Sequence, residues 1–98
     1  MGVRENKVET YLNDEVEKIG GITRKWVSPG RDGVPDRIVI ISGQVYFVEV
    51  KTLDGDVSPV QHREINRLRA HGANARWVRG STGVDNFIKS VIYDISIY

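Results

Sequence analysis

Asp36, Glu49 and Lys51 are the residues whose types and spacing can do chemistry in this chain. Asp36 follows Pro35, and Glu49-Val50-Lys51 comes after a separation that two adjacent β-strands can close. A hard divalent cation takes oxygen ligands, and Asp36, Glu49 and the Val50 carbonyl supply three. Lys51 would stand beside the cation as a point charge. A metal held this way activates water and stabilises charge developing on a phosphodiester oxygen, while the lysine positions the nucleophile or offsets the same charge. The predicted chemistry is therefore phosphodiester hydrolysis. Taken singly, Pro-Asp also marks turns and Glu-x-Lys also serves as a charge pair on exposed strands. Together they cap apolar strands, where idle charge is costly to bury.

The elements that must position these groups follow from periodicity. Residues 5–19 read as an amphipathic helix, with Val8, Tyr11, Leu12, Val16 and Ile19 on one face and Gly20-Gly21 as its stop. Ile22 to Val27 reads as a strand, and Ser28 to Gly33 as a turn-rich loop. Arg37 to Ile41 and Val45 to Val50 are β-branched and aromatic runs around Ser42-Gly43-Gln44, a hairpin with a short turn. Asp36 then opens one strand and Glu49 closes its partner. Residues two apart in a strand share a face, so Glu49 and Lys51 project together while Val48 and Val50 point the other way.

Ser58-Pro59 announces a second helix, Ser as N-cap and Pro at the first position, running to about Ala70 with Gln61 in its first turn. Ala75 to Arg79 reads as a further strand, and Val84 to Ile92 as a closing helix. The alternation of Tyr93, Ile95 and Ile97 suggests one more strand, open either to a second chain or to its own domain.

The 98 residues suffice for a single domain, residues 1–98. Cysteine is absent, which removes disulfides, thiolate metal sites and a cysteine nucleophile and fits a cytoplasmic setting. The charged N-terminus has no apolar core of a leader, and no apolar run is long enough to span a bilayer. His62 and His71 do not have the spacing of a helical zinc pair, and no glycine-rich nucleotide loop occurs. The net charge of +1 conceals a split: residues 61–80 hold five arginines against Glu64 alone. That block is either a phosphate-facing surface or a solvated helix face.

With these residues in place, the chain resembles the VRR-NUC family of the PD-(D/E)xK nuclease superfamily, which includes small phage and bacterial proteins. Gly33-Val34-Pro35-Asp36 is similar to that family's G-x-P-D motif, Glu49-Val50-Lys51 to its E-x-K strand, and Ser58-Pro59-Val60-Gln61 to its S-x-x-Q helix start. The resemblance implies an α/β, restriction-endonuclease-like fold: an α-β-β-β-α-β core, its central mixed sheet flanked by helices. It implies that Asp36 and Glu49 bind Mg²⁺ or Mn²⁺, that Lys51 assists the attacking water and that Gln61 orients water or phosphate. It also implies a metal-side glutamate on the first helix, for which Glu5 matches best by spacing and Glu9 is the rival. Stand-alone members are similar in behaviour to Holliday-junction resolvases, so the expected partners are branched DNA and a second copy of the chain. Arg31, Arg37, Ser58, Arg63, Arg67 and Arg69 would then meet DNA, with Arg76 and Arg79 adding phosphate contacts. Two other readings carry distinct expectations. One is a flap, single-strand or nicking nuclease; the other is a non-catalytic DNA-binding module whose carboxylates and lysine form a structural ion pair.

Overall fold

A computed structural model describes the backbone of residues 3–97 and the side chains of residues 7–97. The elements run α1 (Val3–Lys18), β1 (Ile22–Lys25), β2 (Arg37–Ile41), β3 (Gln44–Lys51), α2 (Pro59–Ala70), β4 (Asn74–Arg79) and α3 (Gly80–Ser96). This is the expected α-β-β-β-α-β order with one helix appended. The strands form a single sheet in the order β1-β2-β3-β4, antiparallel except for the parallel β3/β4 pair. A parallel pair needs a crossover, and α2 supplies it.

The β2/β3 hairpin turns on Ser42 and Gly43, both at positive φ (50° and 79°). A two-residue turn of that kind matches the natural twist of the strands. It sets the register from Ile41 opposite Gln44 to Arg37 opposite Val48, which carries Asp36 alongside the end of β3.

The pleat then divides the side chains. Val39, Ile41, Tyr46, Val48, Val50 and Val78 face α1 and α3, where Leu12, Val16, Val84, Phe87 and Val91 close the main core. On the other face Ile65 of α2 packs with Val57 and Ala75, bordered by Phe47, Leu68 and Trp77. Glu49 and Lys51 share this second face, under α2.

The C-terminus corrects one expectation. No strand covers Tyr93 to Ile97; α3 continues unbroken to Ser96. Val84, Phe87, Ile88, Val91 and Ile95 recur at three- and four-residue spacing and keep one face on the core. Asp94, on the same helix, accepts the Tyr46 hydroxyl at 2.9 Å and pairs with Arg76 at 3.6 Å. Of the alternating Tyr93, Ile95 and Ile97 only Ile95 joins the helical stripe, the other two being exposed, so no C-terminal strand is offered to a partner among the described residues. Tyr98 lies outside them.

Candidate active site

Asp36 stands immediately before β2, where its peptide carbonyl accepts the Trp26 amide at 3.0 Å. Its side-chain Oδ2 accepts the Val50 amide at 3.0 Å. A strand residue's N–H and C=O leave on the same edge, so the Val50 carbonyl belongs to the edge that Asp36 occupies. Glu49 is 2 % exposed. Its Oε2 accepts from Gln61 Nε2 at 3.0 Å and lies 3.3 Å from Lys51 Nζ. Its Oε1 is buried with no hydrogen-bond partner. Burial, and then the neighbouring Asp36 carboxylate, push the Glu49 carboxyl up to about 7, against the opposing pull of Lys51.

Two carboxylates converge, one buried oxygen is unsatisfied, and one lysine offsets only part of the charge. That donor set fits a hard divalent cation, which would satisfy the orphaned oxygen and favour the ionised form of both acids. Among the described residues no third acid or imidazole completes a cluster. Glu5, expected beside the metal, has its side chain outside the described residues.

Gln61 reaches Glu49 because the start of α2 fixes it. Ser58 Oγ accepts the Gln61 amide at 3.2 Å, and Gln61 Oε1 accepts the Ser58 amide at 2.8 Å. This reciprocal capping box spends the oxygen of the amide on the backbone and leaves its NH₂ aimed at Glu49. Gly33 seats the preceding loop on the same helix. At φ +84°, an added Cβ there would come within 2.8 Å of both the Val60 carbonyl oxygen and its Cγ1. The sequence motifs are thus contacts: Gly33 touches Val60, Ser58 sets Gln61, and Gln61 holds Glu49.

No family model matches the chain. A solved structure described as a VRR-NUC domain superposes with a TM-score of 0.83 at 38% sequence identity, covering 90% of this chain and 97% of that one. A phage protein named "Putative nuclease p44", from Acyrthosiphon pisum secondary endosymbiont phage 1, is 51% identical over 71 residues, 71% of this chain and 76% of the relative. The chain belongs to the VRR-NUC family. In fold alone it is also similar to Archaeoglobus fulgidus Hjc, a Holliday junction resolvase, with a TM-score of 0.59 at 20% identity over 76% of this chain and 67% of that one.

Within this VRR-NUC domain the structure brings Asp36, Glu49, Val50, Lys51, Ser58 and Gln61 to one place. The predicted arginines behave differently from one another. Arg37 is turned inward, its side chain 13% exposed, giving Nη1 to Glu9 at 3.1 Å and Nη2 to Thr23 at 2.8 Å. Arg69 is held on β4 by the Ala75 carbonyl at 2.8 Å and lies over the Trp77 ring. Arg31, Arg63 and Arg67 instead line one cleft of about 240 Å³. Larger clefts of about 550 and 420 Å³ run along the open edge of β4, away from the carboxylates.

A further cation beside the site was not singled out in the sequence. Lys25 Nζ lies 3.2 Å from Glu9 Oε2 and 4.0 Å from Asp36 Oδ1. Glu9, 7% exposed, therefore joins the inward-turned Arg37 and the exposed Lys25 in a charge network one residue removed from Asp36. The antiparallel pairing of Lys25 with Arg37 is the signal that would have revealed it, because it sets the end of β1 beside Pro35-Asp36.

Proposed function

We propose that this chain is a divalent-metal-dependent endodeoxyribonuclease that cuts branched DNA as a homodimer. The observation that carries the reading is buried Glu49 beside the half-buried Asp36, with Glu49 Oε2 held by Lys51 and Gln61 and Oε1 left unpartnered. Asp36, Glu49 and the Val50 carbonyl would hold Mg²⁺ or Mn²⁺, which supplies Lewis acidity toward the phosphodiester when bound. Lys51 orients the attacking water and offsets charge developing on the non-bridging oxygens. Gln61 keeps the Glu49 carboxylate in place through Oε2, leaving Oε1 toward the site. The phage relative's name supports nuclease activity, and the fold likeness to a Holliday junction resolvase supports a branched substrate. One carboxylate pair per chain means that two opposed cuts need two chains, which is the argument for the dimer.

The test is nicking of labelled four-way junctions, flaps, single strands and duplex in Mg²⁺ or Mn²⁺, with EDTA as the blank. Junction cutting is expected in either metal. Asp36→Ala and Lys51→Ala should each lower the rate by at least about 100-fold, the usual cost of losing one group that stabilises developing charge. Undiminished cutting by either variant, or no cutting of any substrate by the wild type, would overturn the proposal. Metal-independent binding without cleavage would point instead to a non-catalytic DNA-binding module.

A further inference from the structure

Among the described residues, the arginine side chains sort by what holds them. Arg24 is bound to a backbone carbonyl, Arg37 to Glu9 and Thr23, Arg69 to Ala75, Arg76 to Asn74 and Ser90, and Arg79 to Asp56. Arg31 and Arg63 have no such partner, and both are exposed. They line the same cleft, with Asp32 on the loop and Val60, Glu64 and Arg67 on α2. Residues 60, 63, 64 and 67 recur at three- and four-residue spacing, so they form one continuous face of the helix. Gly33 abuts that face at Val60, and Asp36 follows three residues later. Glu64 is buried and lies 3.8 Å from Arg67 Nε, so Arg67 is steadied from within the cleft. Three guanidinium groups against two carboxylates leave one positive charge, the complement of one phosphodiester.

We infer that this cleft is a phosphodiester subsite that grips the substrate strand beside the cut, with Arg31 and Arg63 as its open guanidinium groups. The inference rests on the nuclease reading for the identity of the strand. Arg63 lies two residues beyond Gln61, about 3 Å along the helix axis, and Gly33 at the cleft edge stands three residues before Asp36, so the gripped phosphate would neighbour the one at the carboxylates. The contact reads no base, because its donors face backbone charge.

The experiment measures binding of a fluorescein-labelled junction by anisotropy, in EDTA, across a range of salt concentrations. The variants are Arg31→Gln, Arg63→Gln and the double substitution. Lys89→Gln, on the exposed side of α3 in the opposite layer, is the control of equal charge. Each cleft variant should reduce the slope of log affinity against log salt by about 0.9, and the double variant by about twice that. The control should keep the wild-type slope. A double variant with the wild-type slope, or a control that loses as much, overturns the subsite. Wild type that binds no DNA overturns it too. Because no metal is present, failure of the wild type to cut in Mg²⁺ would leave a positive slope result standing and count only against the nuclease reading.

Discussion

Because a capping box asks residue 61 only for an acceptor, glutamate satisfies it as well as glutamine does, whereas Glu49 asks for a donor, which only the amide supplies. Gln61→Glu should therefore keep α2 capped but set a second carboxylate against buried Glu49, lowering the metal-free melting temperature and also cleavage, the latter by about 10- to 100-fold, the worth of one hydrogen bond to a charged group. Ser58→Ala does the reverse first: it removes the cap, at about 1 kcal/mol in a denaturant titration. Glu49 makes a separate prediction about pH. Its folded pKa of about 7 lies above the ordinary carboxylate value, so the folded protein holds that proton more tightly than the unfolded chain. Metal-free stability from this group is then fullest below the ordinary value and declines as pH rises through about 7, by roughly 3 kcal/mol at most. A divalent cation removes that penalty, so Mg²⁺ should raise the melting temperature in EDTA-stripped protein more at pH 8 than at pH 5. An equal shift at both would mean that Glu49 does not carry the cation.

At the scale of elements, Gly33 ties the loop that ends in Asp36 to the helix that begins with Gln61. Gly33→Ala should cost on the order of 1–2 kcal/mol for the left-handed backbone alone, more with the collision at Val60. Truncation by Val60→Ala should restore only part of the loss, since the carbonyl oxygen is also 2.8 Å away; urea unfolding of the single and double variants measures both. The strands and α2 were legible in the sequence because each carries a strong local signal: β-branched runs for β2 and β3, and Ser58-Pro59 for the helix. The meeting of Asp36 with Glu49 was legible too, since a short hairpin fixes it. What escaped is informative. Tyr93 to Ile97 satisfies a period of two and a period of 3.6 over so few residues that only the contacts of Asp94 and Ile95 decide between them. The inward turn of Arg37 and the approach of Lys25 to Asp36 depend on which strands pair, and local composition does not record that.

Over the whole molecule, the sheet separates two duties. The layer of α1 and α3 encloses the main core, while the opposite face of the sheet carries Glu49 and Lys51 beneath Gln61 of α2, with the arginine cleft beside it. If two such chains act together on a junction, a mixed dimer of wild type and Asp36→Ala should cut one strand where the wild-type pair cuts two. A cruciform plasmid reads this out as nicked circles in place of linear product, beside a light-scattering mass of two chains. Linear product from the mixed dimer would dissociate the two cuts from the two subunits.

The Ser42-Gly43 turn has a consequence for error in folding. A slip of one residue in the hairpin reverses the parity of β3, sending Glu49 and Lys51 into the main core and lifting Val48 and Val50, now 0% and 1% exposed, out of it. The hydrophobic penalty of that slip falls on the valines, yet what it protects is the acid between them. Burial of Val48 and Val50 thus proofreads the placement of Glu49 before any metal or DNA arrives.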